Sequence, residues 1–142
     1  MANYYGSARS NYFRVKDAKA FLEDMEKLSG VTVSELDRRI ERKDDATHFV
    51  LLGDNGDGCD WCVSEDPDDY EDVDLPERVA PHLAEHEVAI FIDAGAEKLR
   101  YIHGCAVAIN SKGESVRIML SDIYEAAKQL TEHPENITEA TY

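Results

Sequence analysis

Apolar and polar residues alternate from Asn11 to Lys16, with Phe13 and Val15 on one side and Tyr12, Arg14 and Lys16 on the other. That period of two predicts a half-buried strand. The period then changes. Phe21, Leu22, Met25 and Leu28 recur at helical spacing, Asp17 stands in the N-cap position, and Gly30 follows as a stop. The pattern predicts a helix from Ala18 to about Leu28. Val31 to Val33 reads as a strand. Ser34 to Ile40 fits either a helix opened by the pair Ser34 and Asp37 or a continuation of that strand. His48 to Leu52 and Trp61 to Val63 read as short strands. Between them Gly53-Asp54-Asn55-Gly56-Asp57-Gly58 is a turn signal with residues that tolerate positive φ.

Further along, Pro76 suits a first helical position, and Glu77 to Ala84 reads as a short helix. Val88 to Ile92 reads as a buried strand, and Leu99 to Ile109 as a long alternating one. Asn110-Ser111-Lys112-Gly113 turns the chain, and Val116 to Leu120 returns. Asp122 and Glu125 form a capping pair for a last helix, Ile123 to Leu130. The tail from Glu132 to Tyr142, with Pro134 and many polar residues, is predicted to fray. Strands do not alternate regularly with helices, which excludes a regular parallel sheet. The expectation is a single α+β domain over residues 1–142, mainly antiparallel sheet with about three helices. Its first six elements fit a ferredoxin-like βαββαβ arrangement with an added hairpin.

Charge changes the picture more than composition does. The 142 residues carry 30 Asp plus Glu against 15 Lys plus Arg, a net charge of −15. The excess sits in the middle third. Residues 44–97 hold seventeen acids and one base, Arg78, and no Lys or Arg occurs from Asp44 to Glu77. The acidic segment proper is 54–77. Such a balance argues against direct binding of nucleic acid, which needs a basic footprint, and against an anionic membrane surface. No apolar run reaches the roughly 18 residues of a membrane span. The start lacks the basic and apolar regions of a signal peptide, and three cysteines are an odd number. A reduced, cytoplasmic setting is therefore expected.

Candidate chemistry is sparse. Cys59 and Cys62 form a C-x-x-C, and with His103 and Cys105 they make four soft ligands for a structural zinc. Positions 103 and 105 of a strand share a face. Against that reading, a single C-x-x-C is unspecific, and a cysteine in an apolar strand behaves as a small hydrophobe. A calcium loop at Asp54 to Gly58 fails its register, because the first and twelfth positions would be Gly53 and Ser64. His82 and His86 read as exposed polar positions. No nucleophile elbow, phosphate-binding glycine loop or dinucleotide fingerprint occurs. No catalytic residue is singled out, no cofactor is expected, and an enzyme is not the expectation.

The acidic run offers a function of another class. Closely spaced carboxylates on a folded scaffold imitate the charge of duplex DNA, about one per 1.7 Å of axis. The residues expected to face a basic partner are Glu65, Asp66, Asp68, Asp69, Tyr70, Glu71, Asp72 and Asp74. The carboxylates steer the encounter and the aromatic residue anchors it. Trp61, just before the run, reads as a core residue or as a second anchor. The segments Ser7 to Asp17 and Gly95 to Gly113, about a fifth of the chain, resemble small proteins of bacterial plasmids and phages. That likeness brings no activity with it. In size and acidity the chain is similar to DNA-mimicking anti-restriction and anti-CRISPR proteins, without a shared motif. The resemblance implies a non-enzymatic inhibitor of a bacterial defence complex. Its partner would be a basic nucleic-acid-binding protein, and homodimerisation stays open. The alternatives are a small zinc-stabilised adaptor and a housekeeping domain whose acidic loop is merely solvated.

Overall fold

The structure, a computed structural model, describes residues 4–35, 48–53, 61, 63–66, 68, 71–98 and 101–140. It is a single α+β domain dominated by one antiparallel sheet. The elements are β1 (Tyr4–Ser10), β2 (Phe13–Arg14), α1 (Ala18–Met25), β3 (Val31–Glu35), β4 (His48–Gly53), α2 (Leu75–Val79), β5 (Val88–Glu97), β6 (Tyr101–Asn110), β7 (Ser115–Met119) and α3 (Asp122–Ala127). Short 3-10 turns follow α2 and α3 and a third forms at Pro134–Asn136.

β1 and β2 act as one bent strand. The register along β4 shifts by one residue between the pairs Arg9–Leu52 and Phe13–Phe49, as a bulge requires. Side chains satisfy the backbone at the bend. Ser10 Oγ accepts from Leu51 N at 2.8 Å, and Asn11 Oδ1 accepts from Ile90 N at 2.8 Å. Counted this way, the strands lie in the order β3, β4, β1/β2, β5, β6, β7, each antiparallel to its neighbours. The first four positions have the strand order of a ferredoxin-like βαββαβ unit. The β6–β7 hairpin is added at the β5 edge.

Local chemistry explains the helices. Asp17 Oδ1 accepts from Ala20 N at 3.0 Å and starts α1. α1 stops at Met25, earlier than the apolar spacing predicts, yet Leu28 remains buried in the turn that follows. α2 begins at Leu75 because Asp74 Oδ1 caps Glu77 N at 3.1 Å and Pro76 occupies the first turn. Both helices lie on one face of the sheet. Phe21 and Met25 of α1, with Leu75 and Val79 of α2, seal a core against Phe13, Phe49, Leu51 and Phe91. Phe21 is in edge contact with Phe13 at 5.9 Å between ring centroids.

Three strand regions differ from the sequence pattern. Tyr4 to Ser10 is a strand although its side chains show little periodicity, because it is held by ladders on both sides. Trp61 and Val63 lie in no ladder; Val63 N donates to Trp61 O at 3.0 Å, and pairing there is a bridge between Ser29 and Ser64. β5 runs on to Glu97, because the hairpin with β6 carries the ladder through Asp93 to Ala96 without apolar bulk. The turn predicted at Asp54 to Gly58 and the ambiguous stretch from Leu36 to Ile40 lie outside the described residues. No described helix is long and apolar enough to cross a membrane.

Candidate functional site

The acidic segment leaves the body at Val63 and rejoins it at Val73. Val73 N donates to Val63 O at 2.7 Å, so the stem is closed by a backbone hydrogen bond. Next to it, Ser29 N donates to Ser64 O at 2.8 Å and Ser64 N to Ser29 O at 3.2 Å. Val63 is buried in the core and Val73 packs against it. The loop is thus tied at both ends to the helix side of the sheet. Inside it, Ser64 Oγ donates to Asp66 O at 3.0 Å and Asp66 Oδ1 accepts from Asp68 N at 2.9 Å.

The described carboxylates expected to meet a partner are Glu65, Asp66, Asp68, Glu71, Asp72 and Asp74, and all six are exposed. Asp69 and Tyr70 lie outside the described residues. Two of the six have structural work as well. Asp74 caps α2, and Glu65 receives a 2.6 Å bond from Arg78. Arg78 also pairs with Asp24 of α1 at 2.7 Å, and His82 Nε2 lies 2.8 Å from the same carboxylate. The guanidinium of Arg78 first, and His82 after it, hold the Asp24 carboxyl down at about 2 despite its burial. Hydrogen bonds to Asp24 and Glu65 hold the Arg78 guanidinium still more firmly in its charged form. The sole base of residues 44–97 is therefore turned inward as a clamp joining α1, α2 and the acidic loop. His82, expected to be an exposed polar residue, is instead part of that clamp and in edge contact with Phe21 at 5.6 Å. His86 is exposed, as expected.

Beside the loop stem opens a groove of about 340 Å³. Its walls are Trp61, Leu75 and Phe91 on one side and His103, Cys105 and Arg117 on the other. Trp61 is half-buried and meets Phe91 edge-on at 5.6 Å, a packing role. Its Nε1 is buried and finds no hydrogen-bond partner among the described residues. His103 Nε2 and Asp93 Oδ2 lie 2.6 Å apart across the β5–β6 hairpin. His103 and Cys105 share a face of β6, as their spacing predicts. Cys59 and Cys62, the other half of the zinc alternative, lie outside the described residues, and no His, Cys, Asp and Glu cluster of metal-binding form occurs among the described ones. Burial pushes the Cys105 thiol up, and the neighbouring Asp93 charge adds to this. Arg117 opposes both without cancelling them, so the thiol is not activated as a reactive cysteine is.

No family model matches the chain, and no curated protein or solved structure is detectably similar to it. The Arg78 clamp and the Asp93–His103 pair were not legible as pairs in the sequence. The first joins residues 54 positions apart, and the second requires the hairpin register. The one available signal was Arg78 itself, a lone base in an acidic third.

Proposed function

We propose that the protein is a non-enzymatic acidic inhibitor that occupies the basic nucleic-acid site of a partner protein. The sequence resemblance points to a bacterial defence complex as that partner. The observation that carries the reading is the acidic loop. Its ends are fastened to the core by the Val63–Val73 and Ser29–Ser64 bonds, while its described carboxylates face solvent. Anchoring matters because a charge pattern whose ends are fixed loses less entropy on docking than a free tail. Clamping Arg78 inward matters too, because it leaves the outward field unbroken by a base.

The test is a pull-down from bacterial lysate, with salt elution and duplex DNA as competitor. The quadruple variant Asp66→Lys, Asp68→Lys, Glu71→Lys and Asp72→Lys is run beside the wild type. Capture of a nucleic-acid-binding complex that DNA displaces, lost at least tenfold in the variant, is the expected result. Equal capture by the two proteins rejects the proposal. None of the four side chains packs in the core, so the variant should keep its fold, as far-ultraviolet circular dichroism would verify.

A further inference from the structure

Among the described residues, the β6–β7 hairpin and α3 are poorly covered by the rest of the chain. On the face of the sheet turned away from α1 and α2, Val116 is 71% exposed, Ile118 66% and Ile102 62%. β7 has no buried or half-buried residue, and α3 has no buried one. α3 presents Ile123 at 64% exposure, and the 3-10 turn after it presents Leu130 at 89%. A six-residue helix is marginal in water without an apolar partner. This wing therefore has the surface of an element that packs against something, and no described residue of its own chain covers it.

We infer that the cover is a second copy of this chain, packed face to face about a two-fold axis. Charge is the first reason. The chain carries −15 overall, which opposes self-association wherever acids meet. On the bare face, β5, β6 and β7 present no Asp or Glu among the described residues, whereas the acidic loop is rooted on the opposite face. Shape is the second. A shallow groove of about 240 Å³ has a floor of Ala94, Gly104 and Ala106, with Ile92 on one bank and Ile118 and Leu120 on the other. A trough of small residues beside an aliphatic ridge complements itself when turned about a two-fold axis, as an isologous interface requires. Area is the third. Seven aliphatic side chains that are each more than half exposed, Val116 and Leu130 most of all, approach the scale of about 800 Å² per partner that stable interfaces bury.

Light scattering coupled to gel filtration at micromolar concentration decides it. The wild type should elute at twice the 16.0 kDa chain mass. Ile118→Glu and, separately, Ile123→Glu should each raise the dissociation constant at least tenfold and give monomer. Both positions face solvent within one chain, so circular dichroism should be unchanged; if one variant misfolds, the other carries the test. The quadruple lysine variant of the acidic loop should keep the dimer mass, so this result is read independently of the proposed inhibitory function. A monomeric wild type overturns the inference and leaves the face to a different protein. A dimer that survives both glutamate variants, or one that the lysine variant dissociates, overturns it equally.

Discussion

At the β3–β4–β1 end of the sheet Phe13, Phe49 and Leu51 are sealed under α1, while at the β7 end Val116 and Ile118 stand in solvent. Both ends are built from alternating strands of similar apolar content. What separates them is first the face of the sheet: Phe13, Phe49 and Leu51 lie on the face that carries α1 and α2, and Val116 and Ile118 on the opposite one. A helix with its side chains is about 10 Å wide and strands lie about 4.8 Å apart, so two helices on one face cover about four strands. α1 and α2 arise in the two crossover connections, and they cover the strands those connections join. β7 extends beyond them, while Ile109 of β6 still joins the core. Hydrophobic patterning thus states that a surface needs cover, and topology decides whether the same chain provides it.

The sharpest way to break this contrast is to truncate one side chain from each end. Phe49→Ala should destabilise the fold by about 3–5 kcal/mol, because it opens a cavity in the closed core. Val116→Ala should shift the unfolding free energy of the isolated chain by less than about 0.5 kcal/mol, as surface substitutions do. Denaturant unfolding, repeated at several protein concentrations, separates this intrinsic term from any loss of dimer stability. Similar costs at the two sites in the dilute chain would mean that the wing is packed after all.

Next in size is the clamp that holds the acidic loop to the sealed end. Arg78→Ala should cost about 2 kcal/mol, the scale of charged hydrogen bonds, since it leaves Asp24 half-buried and unpaired by its main partner. The same pair sets an acid limit. Asp24 is held at about 2 against an ordinary 3.8, so the folded state resists its protonation more than the unfolded state does. Its stabilisation is fully present above about pH 4 and is lost as pH falls towards 2. Asp24→Asn should flatten the stability profile in that window, and equilibrium unfolding from pH 5 to pH 2 checks it. An unchanged slope would show that the clamp carries no linkage.

The smallest effects fall on the local signals. Asp74→Ala removes the α2 cap and should cost about 1 kcal/mol, read from the denaturant midpoint. Gly113→Ala on the wing should cost a similar amount, about 1 kcal/mol, through backbone strain alone. Its φ is +82°, and a Cβ there meets nothing within 4 Å. Thermal melts of the two variants compare a cap on the covered end with a turn on the bare one. A Gly113→Ala protein as stable as wild type would mean that the turn readily adopts another form.

Particular residues show how far the chain could be read before folding. Asp17 as a cap, Pro76 inside the first turn of α2 and the Asn110–Gly113 turn were legible because each is a contact within four residues. The α+β class followed from the order of periodic segments. β1 was missed because Gly6, Ser7 and Ala8 have almost no side-chain signal, and their ladders come from β5, over 80 residues away. His82 was misread as exposed because its partner, Asp24, is 58 residues away. The acidic segment was fully visible as charge. Its attachment was not, since the Val63–Val73 and Ser29–Ser64 bonds depend on the packed core.

The sequence by itself therefore determined the local devices, the antiparallel class and the concentration of acid in the middle third, because these depend on neighbours along the chain. Only the tertiary structure decided that Arg78 turns inward, that the acidic loop is tied to the helix side, and that the aliphatic face of β5–β7 is left open. Those outcomes depend on which strands become neighbours and on which face of the sheet the two helices pack, and neither is written in any local stretch of residues.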